Sequence, residues 1–228
     1  MENRDHAGHE NVSAEGAKND GGAGSGACSP KLFAARWDEA VGPFQVSPFP
    51  NDLALVNEII RQEAALVAFA PHCPITADHL RTLQRHRVAG GAEHEVFIYQ
   101  SHTRVWKQTK HGRWGFKRAT PKDYLLRLSA LTGYAGGLDI LVEGIALDEK
   151  GFPSIITSMA YVDGRHPEPL ELADKLKKDG WELIGDSTGL LVYRHRTEGV
   201  ILRDAHPGNF IVAAEGKYVP IDVAIEGF

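Results

Sequence analysis

Asp204, Asn209 and Asp222 stand five and thirteen residues apart in the stretch 200–222, VILRDAHPGNFIVAAEGKYVPID. Two carboxylates and a carboxamide converging beside a pocket supply oxygen donors for a magnesium ion and a proton acceptor, the equipment of phosphoryl transfer. A plainer reading keeps the same residues as a turn, with Asp204 as cap, Pro207-Gly208 as corner and Asn209 in a left-handed conformation. His206 lies inside the loop, where it either contacts Asp204 or a phosphate or is a structural histidine bonded to backbone. A hydrolase metal site built from His206, Asp204 and His195 is a weaker option, because no second ligand falls at a familiar spacing.

Apolar runs flank these residues at 200–202, 210–212 and 218–221, separated by the polar loop and by the Glu215-Gly216 turn. That pattern is strand, loop, strand, tight turn, strand, which brings all three side chains to one end of a hairpin. Upstream, Gly90-Gly91 precede a strand over 93–99, and a second strand over 104–107 carries Lys107. Thr120 is a plausible N-cap for a helix over 121–131 with Leu125, Leu126 and Leu128. Strands follow over 140–146 and 154–159, joined by the turn at 148–151. An amphipathic helix over 167–178 carries Leu170, Leu172, Ala173 and Leu176 and is closed by Gly180. A hairpin over 181–184 and 189–193 leads back to the loop at Asp204. Met159, taken alone, is plain core.

These pieces resemble the protein-kinase-like superfamily. The Asp204-to-Asn209 interval is that of the kinase pattern H-R-D-x-x-x-x-N, with Arg203 before the aspartate and Leu202 in place of the histidine. The D-x-H-P-G-N wording is closer to the small-molecule and atypical branches, aminoglycoside phosphotransferases among them, than to eukaryotic protein kinases. Closer still is the kinase domain found in polyvalent proteins of phages and mobile elements. Its Y-L-x-R-L segment, its hinge and its terminal I-D are similar to Tyr124-Leu125-Leu126-Arg127-Leu128, Ser158-Met159-Ala160-Tyr161-Val162-Asp163-Gly164 and Ile221-Asp222 here.

The resemblance covers residues 88–228. It implies an α+β, minimal two-lobed kinase-like fold: a small lobe over about 88–158, a hinge over 159–164 and a reduced large lobe over 165–228. It also implies ATP and Mg2+. Gly90 and Gly91 would let backbone amides approach phosphates and Lys107 would position them, while backbone near Met159 and Ala160 would meet the adenine edge. Asp204 would orient or deprotonate the acceptor hydroxyl, and Asn209 and Asp222 would hold the metal. Two departures stand out. The helix over 121–131 carries no Glu to orient Lys107, which leaves Asp123, Glu93, Glu95, Glu58 and Glu63 as candidates. Six residues follow Asp222, with no activation segment or A-P-E element among them, so a truncated C-terminal lobe is expected. The expected function is therefore an ATP- and magnesium-dependent phosphotransferase whose acceptor, protein or small molecule, is unidentified. The alternative is a catalytically inactive pseudokinase that binds nucleotide or a protein.

With 228 residues, 43% of them hydrophobic, the chain can bury one good-sized core, or one domain plus a small appendage. A net charge of -5 gives no electrostatic reason to expect a nucleic-acid partner. Cys28 and Cys73 form neither a metal-ligand pair nor a disulfide framework, which fits a reducing cytoplasm. No apolar run is long enough for a membrane span, and the N-terminus lacks the apolar core of a secretion signal, so a cytoplasmic protein is expected. Residues 1–30 are rich in Gly, Ala, Asn, Asp and Ser and are expected to be a disordered tail, with His6 and His9 solvated. Residues 31–87 are expected to be a helical appendage containing Phe33, Trp37 and Phe44, a proline break at 48–50 and a capped helix from Asn51. That helix carries Leu53, Val56, Ile59, Ile60, Ala64, Val67 and Ala68 as a core stripe or a partner-binding face, and it ends at Pro71 and Pro74. Thr76 or Asp78 would cap a short helix running through Leu83.

Overall fold

A computed structural model describes residues 27–42, 52–99, 103–115, 119–135, 138–185 and 191–227. Residues 1–26 of the expected tail, the segment with Phe44 and the prolines at 48–50, the Asn51 cap and residues 186–190 of the expected hairpin lie outside the described residues. The fold class is α+β, with five α-helices and antiparallel sheets among the described residues. The helices are α1 (Pro30–Val41), α2 (Asp52–Phe69), α3 (Ala77–Arg85), α4 (Pro121–Ala135) and α5 (Pro169–Lys178). None of the described helices is long and apolar enough to cross a membrane.

Five strands form the first sheet: β1 (Arg87–Gly90), β2 (His94–Ile98), β3 (Arg104–Thr109), β4 (Leu141–Leu147) and β5 (Pro153–Ala160), in the order β1-β2-β3-β5-β4. Helix α4 is the crossover from β3 to β4. The period-2 alternation of strands sorts the side chains onto two faces. Phe97, Trp106 and Ile156 point to one face, where Leu83 of α3 packs on them. Val96, Lys107 and Thr157 stand in register across β2, β3 and β5, on the other face. Two smaller sheets follow. β6 (Gly164–Arg165), β10 (Phe210–Ala213) and β11 (Tyr218–Pro220) are ordered β11-β10-β6. β7 (Trp181–Gly185), β8 (Val192–His195), β9 (Ile201–Arg203) and β12 (Ala224–Glu226) are ordered β12-β9-β8-β7.

Local chemistry explains where the helices begin. Thr76, rather than Asp78, caps α3 by accepting from His79 N. Thr120 caps α4, its hydroxyl accepting from Asp123 N while Asp123 accepts from Thr120 N. Helix α5 starts two residues later than 167 because Pro169 occupies its first turn and Glu171 reaches back to Glu168 N.

Helices α1 and α2 share one core with α4, α5 and the sheets. Phe33, Trp37, Leu66 and Phe69 pack in the same cluster as Tyr124, Leu128, Ile155, Leu172 and Trp181. Two polar ties fix the start of α4: buried Gln62 accepts from Lys122 N at 2.9 Å, and Lys122 Nζ donates to Asp38 at 2.8 Å. The first answers a helix N–H that has no intrahelical partner. The stripe expected on α2 is not its core face: Leu53, Val56, Ile60, Ala64, Val67 and Ala68 are exposed and Ile59 is half-buried, whereas Gln62, Leu66 and Phe69 are the buried residues.

Candidate functional site

A cavity of about 730 Å³ opens between the first sheet and the β10–β11 hairpin. That volume falls in the range of small-molecule sites, roughly 300–1,000 Å³. One part of its wall is apolar, with Val88, Val96, Val105, Met159, Ile211 and Ile221. The rest is charged, with Glu93, Lys107, Arg127, Asp204 and Asp222 beside His94 and Asn209. Gly91 and Ala160 line the cavity as well. Gly90 does not: a Cβ there would meet Arg87 and Glu95, whose ion pair lies against the strand.

Asp204 follows β9 with φ +58°, a left-handed conformation uncommon for a residue with a side chain. Asn209 holds it there, its Nδ2 donating to both Asp204 O and Asp204 Oδ2 at 2.9 Å. Both partners are acceptors, so the amide nitrogen must face Asp204, and Oδ1 is the atom Asn209 has for a cation. The left-handed residue is thus Asp204, not Asn209 as a simple turn would have it. His206 caps the short 3-10 turn Pro207–Asn209 by accepting from Gly208 N, and its Nε2 lies 3.8 Å from Asp204 Oδ1. Ile221 N donates to Asn209 O at 2.8 Å, which locks the loop to the segment that carries Asp222.

Lys107 Nζ donates to Ile221 O at 3.2 Å and lies 3.4 Å from Asp222 Oδ2. Burial pushes the Asp222 carboxyl up, and the charges of Lys107 and Arg127 outweigh it, holding the group at about 2. The carboxylate is therefore charged at any pH where the protein would work. Asn209 and Asp222 together offer hard oxygen donors of the kind that Mg2+ uses with waters and substrate phosphates. Among the described residues, no three His, Cys, Asp or Glu side chains form a metal cluster. His195 is elsewhere, its Nε2 against Asp179 O, so it forms no site with His206 and Asp204.

None of the five carboxylates considered as a partner for Lys107 meets it. Asp123 caps α4, Glu58 bonds Arg61 and Gln62, Glu63 accepts from Trp114 Nε1, and Glu95 pairs with Arg87 and Lys110. Glu93 pairs instead with Arg127, which donates to its Oε2 at 3.0 Å. The expectation of a carboxylate on Lys107 from these residues is corrected accordingly. Helix α4 presents a guanidinium toward the cavity, and the available carboxylate goes to the cation whose fork it can bond.

Two further groups complete the charged part. The Arg127 side chain is 9% exposed, with Asp222 Oδ1 at 3.9 Å and the Tyr124 ring at 5.5 Å. His94 is buried, its Nε2 3.2 Å from Tyr124 Oη, which in turn lies 3.5 Å from Thr157 Oγ1. Burial pushes the imidazole down to about 3, so it is neutral near pH 7. Sequence reasoning assigned neither residue a role. Signals for both were present, since Tyr124 and Arg127 are one helical turn apart and His94 shares a strand face with Val96.

Compared with models of protein families, with curated proteins and with solved structures, the chain finds no match.

Proposed function

We propose that the chain is an ATP- and magnesium-dependent phosphotransferase with a minimal, two-lobed kinase-like fold. The observation that carries this reading is the convergence of Lys107, Asp204, Asn209 and Asp222, from three separate segments, on one cavity. Its apolar wall supports a flat ring bound between Val96 and Val105 on one side and Ile211 and Ile221 on the other. In this reading the first sheet with α4 is the small lobe, the end of β5 and the residues after it (159–164) are the hinge with Met159 and Ala160 at the adenine edge, and the two smaller sheets with α5 form the reduced large lobe.

The residue roles follow from charge and reach. Lys107 positions the phosphates of the nucleotide, as a cation on a rigid strand can without reorganising. Asn209 and Asp222 would hold the magnesium ion, which, when bound, neutralises charge on the β- and γ-phosphates. An acceptor hydroxyl gives its proton to Asp204 as its oxygen bonds to the γ-phosphorus and the bond to the β–γ bridging oxygen breaks, leaving ADP. Asn209 engages Asp204 Oδ2, which leaves Oδ1, 3.8 Å from His206 Nε2, as the oxygen to receive the acceptor proton. Asp204→Ala is expected to lower turnover about 10²–10⁴-fold, the usual contribution of a positioned base. Radiolabel transfer from ATP to an acceptor or to the chain itself reads it. Transfer undiminished in that variant would remove Asp204 from the mechanism.

One observation favours a second reading, a pseudokinase that binds nucleotide without turnover. Lys107 is held by Asp222 rather than by a helical glutamate, and α4 supplies Arg127 instead. Magnesium-dependent ATP binding with no transfer to any acceptor would decide for it.

A further inference from the structure

Arg127 has no part in the roles assigned above, yet it is built into the same cavity. Taking a guanidinium out of water is costly unless charge partners replace the water. Partners here include Glu93 at 3.0 Å and Asp222 at 3.9 Å, both of which also line the cavity. Glu93 belongs to the turn between β1 and β2, next to Gly91 and Ala92, and its carbonyl accepts from Lys110 N at 2.8 Å. A carboxylate on the turn at the cavity wall thus reaches a guanidinium on the helix, beside Lys107 and the candidate metal ligand Asp222. Phosphate and carboxylate oxygens suit the same planar fork of N–H donors, and a polyphosphate carries more charge than one carboxylate.

We propose that Arg127 is a phosphate-binding residue of this site and that Glu93 is its built-in competitor. When a nucleoside polyphosphate enters, a phosphate takes the guanidinium that Glu93 holds, and the β1–β2 turn is released from α4. The inference rests on the phosphotransferase reading of the cavity. It gives α4 a function in place of the missing glutamate: it delivers a cation to the phosphates directly instead of orienting Lys107.

Isothermal titration of the full chain with ATP and magnesium tests this on wild type, Glu93→Gln, Arg127→Met and the double variant. Glu93→Gln is expected to tighten binding on the order of fivefold to tenfold, because the competing charge is gone while Arg127 keeps Asp222. Arg127→Met is expected to weaken binding at least about tenfold, and in its background Glu93→Gln should give no gain, as a double-mutant cycle requires of coupled groups. If Arg127→Met fails to fold, the sign of the Glu93→Gln effect decides alone. An unchanged or weaker affinity in Glu93→Gln would make the pair a structural tie between turn and helix and overturn the proposal. A wild type that binds no ATP with magnesium would instead sink the phosphotransferase reading, and this inference with it.

Discussion

Asp222 and His94 lie in one charged cluster and are driven in opposite directions from charge. Asp222 keeps its charge because Lys107 and Arg127 outweigh its burial, whereas His94 loses its own to burial. The consequence for stability is specific in sign. The folded-state pKa of His94, about 3, is below the ordinary 6.5, so between those values the unfolded chain binds the extra proton and folding weakens as pH falls. By linkage, wild type should lose up to about 2 kcal/mol from this group between pH 7 and pH 5, and His94→Gln should flatten that part of the slope. Urea denaturation at both pH values measures it; an unchanged slope in the variant would mean that His94 is not held neutral. At this scale residue type and spacing made Lys107, Asp204, Asn209 and Asp222 legible, and the four do meet in one cavity. The strain at Asp204 was not legible. Asn is the commoner left-handed residue, but here its two hydrogen bonds to Asp204 fix which of the pair is distorted.

Elements with strong local signals were legible, and those defined by pairing were not. Thr76 and Thr120 mark helix starts through caps, and the alternating runs mark β2 to β5, whereas of the two prolines near the start of α5 it is Pro169 and not Pro167 that opens the helix. Helix α4 runs four residues past 131 because Leu131 continues its buried face and Gly133 lies within it rather than ending it. The two-residue strand β6 is exposed and has no pattern to read; its existence depends on pairing with β10. Gly164 makes that pairing possible, since φ is +157° and a Cβ would stand 2.2 Å from Val212 O. Gly164→Ala should therefore cost about 1–3 kcal/mol, read by thermal or urea unfolding. Wild-type stability in that variant would contradict the close approach of β6 to β10, which joins the segment after β5 to the loop of Asn209.

For the molecule as a whole, periodicity shows which faces are apolar but not what they meet. Residues 31–87 looked like an appendage because their texture differs from the strands that follow. They are packed on those strands: Trp37 lies in the core shared with α4 and α5, and Gln62 and Asp38 anchor the start of the helix that bears Arg127. Trp37→Ala should accordingly cost about 3–5 kcal/mol and lower a single unfolding transition. Two separate transitions, with one unaffected, would mean that the N-terminal helices fold apart from the cavity. Thermal unfolding with ATP, with and without magnesium, on wild type and Asp222→Asn bears most directly on the phosphotransferase reading. At a ligand concentration 100 times Kd, wild type should gain about 2.7 kcal/mol, a rise of roughly 5–10 °C in Tm. The rise should need magnesium and be lost in Asp222→Asn. No rise with any nucleotide, or one that persists undiminished in the variant, would contradict a magnesium–nucleotide site at Lys107, Asn209 and Asp222.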